Sequence, residues 1–368
     1  MKRLNCKVFL LITFSLLLIL FFGGSTFALV QDYGDIGFTS TIDDINQQFS
    51  TELFLNNIIQ INYDNFLGYF SCKATYTNNE DNFFDFNKAF ISYQNEFCKI
   101  EIGKDRIVNG VGYVWSPADI LNPKKSLLYR NREQQNEEMG VPLIAASLFG
   151  TKNDFSYEIR NITMIEEGED ISEGKNVISS KFNWPSFEML LLTGFQNDKE
   201  NIYAGYIRTP IPGYDICTLY LEFCNQNSHD WKQLIGIQFN PNFIFLADSA
   251  VQFQIEYFNN SSGFNSIKDF FKYRPGEVPI LAEVLKNYAY IGALYISPSL
   301  SFSLGVISNI DEDRSGMGNY LFTYNLSELS KINLGGYFSF GEADKEFPLL
   351  LNKNYEIYLS YSLSFSVN

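Results

Sequence analysis

From Tyr355 to Val367 the chain alternates without a break. Tyr355, Ile357, Leu359, Tyr361, Leu363, Phe365 and Val367 take one parity, and Glu356, Tyr358, Ser360, Ser362, Ser364 and Ser366 the other. Successive side chains of a strand point to opposite faces, so this segment has one greasy face and one face made mostly of hydroxyls. Its length constrains it further. The run is more than double the roughly five or six residues of an ordinary soluble strand, and it suits a tilted membrane strand of about 9–11 residues with its ends.

The N-terminus has the layout of a secretion signal. Lys2, Arg3 and Lys7 form a positive stretch, Val8 to Phe22 is apolar, and Gly23-Gly24-Ser25-Thr26-Phe27-Ala28 supplies small residues for cleavage after Ala28. The apolar run is short for a spanning helix, which needs about 20 residues. No later segment is apolar enough for one, so a membrane-embedded mature chain has only a closed barrel open to it, because lipid cannot satisfy free backbone groups. The expected organisation is a signal peptide at 1–28 and one β-barrel at 29–368. With 23 Tyr and 35 Phe the chain has aromatics enough for interfacial girdles. Its formal net charge is −15, and the basic leader makes the remainder more acidic still, which argues against nucleic acid as a partner.

Alternation recurs along nearly the whole chain. We read eighteen strands, the first two at about 48–56 and 58–64 and the last at 354–367, giving an all-β, transmembrane antiparallel β-barrel of about 18 strands (16–18). The 11 prolines fall in the connections or at strand starts, as a hydrogen-bonded ladder requires. The connections sort by length. Those at 65–66, 95–96, 151–153, 185, 210–214, 240–245, 297–298 and 327–330 are short. Those at 78–85, 105–141, 164–175, 196–200, 224–230, 259–285, 309–316 and 341–353 are mostly long. Short periplasmic turns opposite long outer loops are the asymmetry of an outer-membrane barrel.

Other signals are weaker. Cys72, Cys98 and Cys217 share parity with apolar neighbours, and the spacing of the cysteines gives no metal site. The one histidine, His229, stands between Ser228 and Asp230 in a short loop, where adjacency in sequence precludes triad geometry. No enzyme activity, cofactor or metal is expected. The 259–285 connection carries Phe264, Ile267, Phe270, Phe271, Ile280, Leu281, Val284 and Leu285, which suits a short amphipathic segment packed on the rim or in the lumen.

The longest connection, 105–141, contains Gly103-Lys104-Asp105-Arg106-Ile107 and Gly110-Val111-Gly112-Tyr113, then Trp115-Ser116-Pro117-Ala118-Asp119-Ile120-Leu121-Asn122-Pro123. Gly110 and Gly112 permit a tight or left-handed turn, and Asp119 and Asn122 can close turns with their own side chains. The segment resembles a run found in porin-like outer-membrane barrel families, although Asn109 stands where those families usually carry an aromatic residue. The resemblance implies that this loop folds inward and narrows a channel. Lys104, Arg106, Lys124, Lys125, Arg130 and Arg132 would then face Asp105, Asp119, Glu133, Glu137 and Glu138 at a constriction, with Arg106 and Asp119 anchoring the two arms of the loop to the wall. The alternative is an outer loop pinned by Arg106 and Asp119, its other charges solvated.

Together these features imply a passive channel for small hydrophilic solutes in the outer membrane of a diderm bacterium, with outer-membrane lipid around it and a homo-oligomer left open. A structural or adhesive barrel without an open pore, and a barrel enzyme acting on envelope lipid or peptide, are the rival readings.

Overall fold

Eighteen strands close on themselves in the computed structural model, each antiparallel to the next. They are β1 (Leu29–Asp43), β2 (Phe49–Tyr63), β3 (Phe66–Thr77), β4 (Phe83–Gln94), β5 (Cys98–Asp105), β6 (Val141–Lys152), β7 (Phe155–Met164), β8 (Lys175–Trp184) and β9 (Phe187–Phe195). The ring continues with β10 (Ile202–Ile211), β11 (Tyr214–Asn225), β12 (Trp231–Phe239), β13 (Ala250–Asn260), β14 (Asn287–Ile296), β15 (Leu300–Asn309), β16 (Gly316–Asn325), β17 (Ser330–Phe340) and β18 (Tyr355–Val367). β1 pairs with both β2 and β18, which leaves no open edge. Among the described residues, two short helices, α1 (Ile267–Tyr273) and α2 (Glu346–Leu351), lie within connections.

The structure describes residues 29–43, 49–77, 83–122, 140–165, 175–195, 201–226, 230–241, 248–275, 281–311, 314–351 and 354–367. The expected leader at 1–28, the stretch 123–139 and His229 lie outside them.

The strand count read from the sequence is right for a partly wrong reason. Strand β1 was not anticipated, and the expected pair at 48–56 and 58–64 is one strand, β2. Asn56 and Asn57 put polar side chains on both faces and so mimic a break. In the fold Asn56 is buried on the inner face, while Asn57 donates to Asp32 Oδ1 at 3.0 Å on the outer one. β1 is hidden for another reason. Gly34 and Gly37 interrupt its pattern, and a Cβ at Gly37 would stand 2.3 Å from the Tyr361 carbonyl oxygen and 2.7 Å from the Phe54 ring. The seam tolerates no side chain there.

The sorting of the connections holds. Two-residue turns at one end use Asp64 (φ 48°) and Asn153 (φ 55°) in the left-handed region, which short polar side chains tolerate best after glycine. The longest connections emerge at the other end, although the one between β12 and β13, expected at 240–245, runs from 240 to 249 on the short-turn side. Pro142 and Pro210 sit next to strand ends, and the ladder shifts register just after Pro210.

On β18, Ile357, Leu359 and Leu363 face outward and Leu359 is 48% exposed, whereas Ser360 and Ser362 on the inner face are each 2% exposed. Ser360 accepts from Asn333 Nδ2 at 2.9 Å. Ile91, Ile102, Leu148, Ile255 and Ile291 continue the exposed apolar belt around the barrel. Aromatic rings gather near the turns, as where Trp184 lies 4.4 Å from Phe187 and 4.6 Å from Phe155. The four described cysteines, Cys72, Cys98, Cys217 and Cys224, carry free thiols.

The two faces predict opposite responses to charge. Leu359→Lys should lower unfolding free energy in lipid vesicles by about 2–4 kcal/mol if it sits near the bilayer midplane. Ser303→Lys, half-buried on the inner parity of β15, should cost less than half as much. Denaturant titration of the refolded variants measures both, and equal losses would invert the face assignment.

Candidate functional site

An 18-stranded ring is too wide for its own side chains to fill. Among the described residues, parts of three connections enter instead: 106–122 after β5, 261–275 and 281–286 around α1, and 341–351 carrying α2. Val114 and Trp115 of the first, Ile267, Phe270 and Leu281 of the second, and Phe347 and Leu351 of the third pack with Tyr220, Leu234, Phe258, Tyr288 and Tyr290 of the inner wall. Ile107, Ala118 and Leu121 pack on Leu143, Ile162, Val177, Leu190 and Leu192 of β6–β9. The segment with the family-like motif is therefore inside the barrel, as the resemblance implied for its first arm.

A loop inside a barrel has no strand to pair with, and its buried amides still need acceptors. Two wall glutamates supply them. Glu222 on β11 accepts from Val111 N through Oε1 at 2.5 Å and from Ala118 N through Oε2 at 3.2 Å, and its Oε1 also accepts from Gly112 N. Glu256 on β13 accepts from Tyr113 N at 2.5 Å, from Val114 N at 3.0 Å and from the Tyr220 hydroxyl at 2.7 Å. The two glutamates are 2% and 1% exposed. A buried carboxylate is tolerable only with such donors around it, and hydrogen bonds to charged groups contribute about 1.5–3 kcal/mol each.

The glycines of the motif serve this docking and not a turn. Neither Gly110 nor Gly112 has a positive φ; Gly103, at the end of β5, does. A Cβ at Gly112 would lie 1.8 Å from the Trp115 carbonyl oxygen and 2.4 Å from Leu234 Cδ2. One at Gly110 would lie 2.6 Å from Ser116 Cβ and 3.1 Å from Glu222 Oε2. Close approach of the loop to itself and to the wall is what demands glycine.

The expected site residues divide. Arg106 and Asp119 face each other, Nη2 to Oδ2 at 3.7 Å, and so tie two parts of the arm together. Asn122 Nδ2 donates to Asp119 Oδ1 at 2.7 Å and to the Ile107 carbonyl at 2.9 Å, closing the arm as its side-chain chemistry suggested. Lys104 lies in register with Ala89 and shares the parity of the outward Ile100 and Ile102, not that of the inward Glu101. Lys124, Lys125, Arg130, Arg132, Glu133, Glu137 and Glu138 lie outside the described residues. The anchoring role expected of Arg106 and Asp119 is carried in large part by Glu222 and Glu256. In the sequence, Glu256 is readable only as an inner-face position between the outward Ile255 and Tyr257, and Glu222 does not stand out.

The inner wall has two characters. On β4–β10 it is charged: Lys88 stands 3.7 Å from Asp105, Arg160 2.5 Å from Glu158 and Lys181 3.1 Å from Glu188, and Lys99 pairs with Glu101. On β12–β18 it is polar and mostly uncharged: Gln238 donates to Gln252 at 3.2 Å and Thr323 to Asn333 at 2.8 Å. At the loop end, Lys268 of α1 and Asp344 pair at 2.5 Å. Their hydrogen bond holds the Asp344 carboxyl below its ordinary pKa and the Lys268 ammonium above its own. The Asp344 contribution is lost as pH falls through that lowered pKa, and exposure keeps the pair weak.

No family model and no curated protein matches this chain. Solved structures do. OccK5 (OpdH) of Pseudomonas aeruginosa superposes with a TM-score of 0.58 at 10% identity, over 93% of this chain and 99% of that one. A BenF-like porin from Pseudomonas fluorescens Pf-5 gives 0.58 at 8% identity, over 92% and 99%. OpdQ of P. aeruginosa gives 0.54 at 9% identity, over 92% and 98%. The fold is that of a porin. At such low identity the likeness is one of architecture, and the residues that grip the loop are read from this chain alone.

The two carboxylates predict a local response. A glutamine at position 222 turns one acceptor oxygen into an NH2 donor facing backbone N–H groups. With one such bond lost at about 2 kcal/mol, amide exchange over 111–118 should rise on the order of 30-fold in Glu222→Gln, while wall amides of β15–β18 stay unchanged. Hydrogen–deuterium exchange of the refolded protein reads both, and uniform change across the barrel would deny the clamp.

Proposed function

We propose that this chain forms an outer-membrane channel through which small hydrophilic solutes diffuse passively, with the loop after β5 as its constriction. The observation that carries this reading is the grip of Glu222 and Glu256 on residues 111–118, which holds a loop inside the ring where it must narrow any path. The polar and ion-paired inner wall suits hydrated cargo, since rings of fixed charge and polar groups are how pores select. The exposed apolar belt and the sorted connections fit a barrel in the outer membrane of a diderm bacterium. Cleavage after Ala28 would leave β1 as the first segment of the mature chain. OccK5 and the BenF-like porin share this architecture, and the porin function named for the latter is carried here as part of the proposal.

Within this reading, Lys124, Lys125, Arg130 and Arg132 face Glu133, Glu137 and Glu138 or wall carboxylates near the narrowest point. Opposed charges there would set a transverse field on the passing solute. A blocked structural barrel is the rival reading that conductance would decide against.

Single-channel recording in planar bilayers is the test. The refolded mature protein should conduct, deletion of 124–138 should raise conductance, and neutralising the four basic residues should shift selectivity toward cations. The shift should fade in high salt, because the Debye length falls from about 10 Å at 0.1 M to about 3 Å at 1 M. A protein that inserts without conducting would leave the structural barrel as the better account.

A further inference from the structure

Ala282 is fully buried and has φ of +60°, a conformation that a side chain with a Cβ rarely adopts. Such strain persists only where the surroundings fix the residue from several sides. Both backbone polar groups of Ala282 are taken by side chains from other connections. Its N–H donates to Glu346 Oε1 at 2.9 Å, and its carbonyl accepts from Trp115 Nε1 at 2.8 Å. Glu346 belongs to α2, and Trp115 to the loop after β5.

Each end of this link is itself seated. Glu346 is fully buried and accepts the Tyr288 hydroxyl at 2.8 Å and 2.9 Å through its two oxygens, while Leu285 N donates to that hydroxyl at 2.7 Å. Phe347 N donates to Ser315 Oγ at 3.3 Å, which fastens α2 beside β16. Trp115 stacks on Phe258 with centroids 5.2 Å apart and planes 6° apart, and lies 5.9 Å from Tyr288. The hydrogen-bonded route from α2 to the gripped loop runs in series through Ala282.

We infer that Glu346 and Ala282 are positioning residues of the constriction: the last long connection of the chain sets where the loop after β5 stands, through the Ala282 backbone and the Trp115 indole. This rests on the channel reading only for its consequence on conduction, because the mechanical link exists whether or not the pore is open. The three inward connections then form one body. Glu222 and Glu256 hold the body to the wall from the side of β11 and β13, and Glu346 holds it from the side of β14–β17. The strained alanine is the joint, and its conformation is the one in which donor and acceptor point to opposite partners.

The test uses the full-length refolded protein and two readouts. Amide exchange over 111–118 should rise about five- to tenfold in Glu346→Ala, and by a similar factor in Trp115→Phe, which keeps the stacking ring and removes the N–H. Because the links are in series, the double variant should exchange no faster than either single one. Glu346→Gln, which retains an acceptor oxygen for Ala282 N, should stay within twofold of the parent. In bilayers the two disruptive variants should add sublevels to the open state at unchanged ion preference. If Glu346→Ala loosens 281–285 but leaves 111–118 unchanged, or if the two single effects multiply in the double variant, the coupling is refuted. Absence of conductance in every protein, with the exchange pattern as expected, would remove the channel reading and leave the coupling in place.

Discussion

Every backbone N–H and C=O in this molecule has to find a partner without help from bulk water, and that requirement organises the rest. On the outside, hydrocarbon offers neither donor nor acceptor, so the sheet has to return to its own beginning, and β18 meets β1 over the whole span from Asp32↔Val367 to Asp43↔Glu356. On the inside, the same demand falls on connections that have left the sheet. They cannot pair with strands whose ladders are already complete, so side-chain oxygens take over. Glu222, Glu256 and Glu346 are three instances of one solution: a buried carboxylate on which amide and hydroxyl donors converge.

This division explains why the inner wall is not uniform. Where loops dock, it is apolar apart from the gripping acids, as Leu190, Leu192, Leu234 and Phe258 illustrate. Elsewhere it carries paired charges or neutral polar groups. Lys181–Glu188 and Arg160–Glu158 are inward-facing pairs of opposite sign, a pattern that keeps the lumen wet without leaving an isolated charge against a low-dielectric wall.

Much of the architecture was legible because period-2 alternation is a direct consequence of strand geometry, and β18 displays it in full. The failures also have physical causes. β1 hides behind Gly34 and Gly37, which are required by the close approach of its neighbours, so packing at the seam erased the periodic signal. β2 was split because Asn57 is a polar residue on the outer face whose partner, Asp32, is distant in sequence. At the site, Arg106 and Asp119 were visible from their charge and spacing, whereas Glu222 was not. Its trace lay in the pattern all the same: an acid on the inner parity of β11, flanked by Tyr220 and Cys224, with Tyr206 and Leu234 beside it in register and no basic residue opposite. An acid so placed calls for backbone donors from elsewhere in the chain.

The grip of Glu222 and Glu256 also bears on the order in which the molecule can assemble. Val111 and Glu222 are separated by 111 positions and Val114 and Glu256 by 142, and β13 stands nearly opposite β5 on the ring. The loop leaves the sheet early in the sequence, after the fifth strand, yet its acceptors arrive only with the eleventh and thirteenth of the eighteen. Contacts of such separation form after the local hairpins that precede them. Until then both carboxylates are best served by water, so seating the loop and drying the space behind it belong to the same late event, after the wall that surrounds them has taken shape.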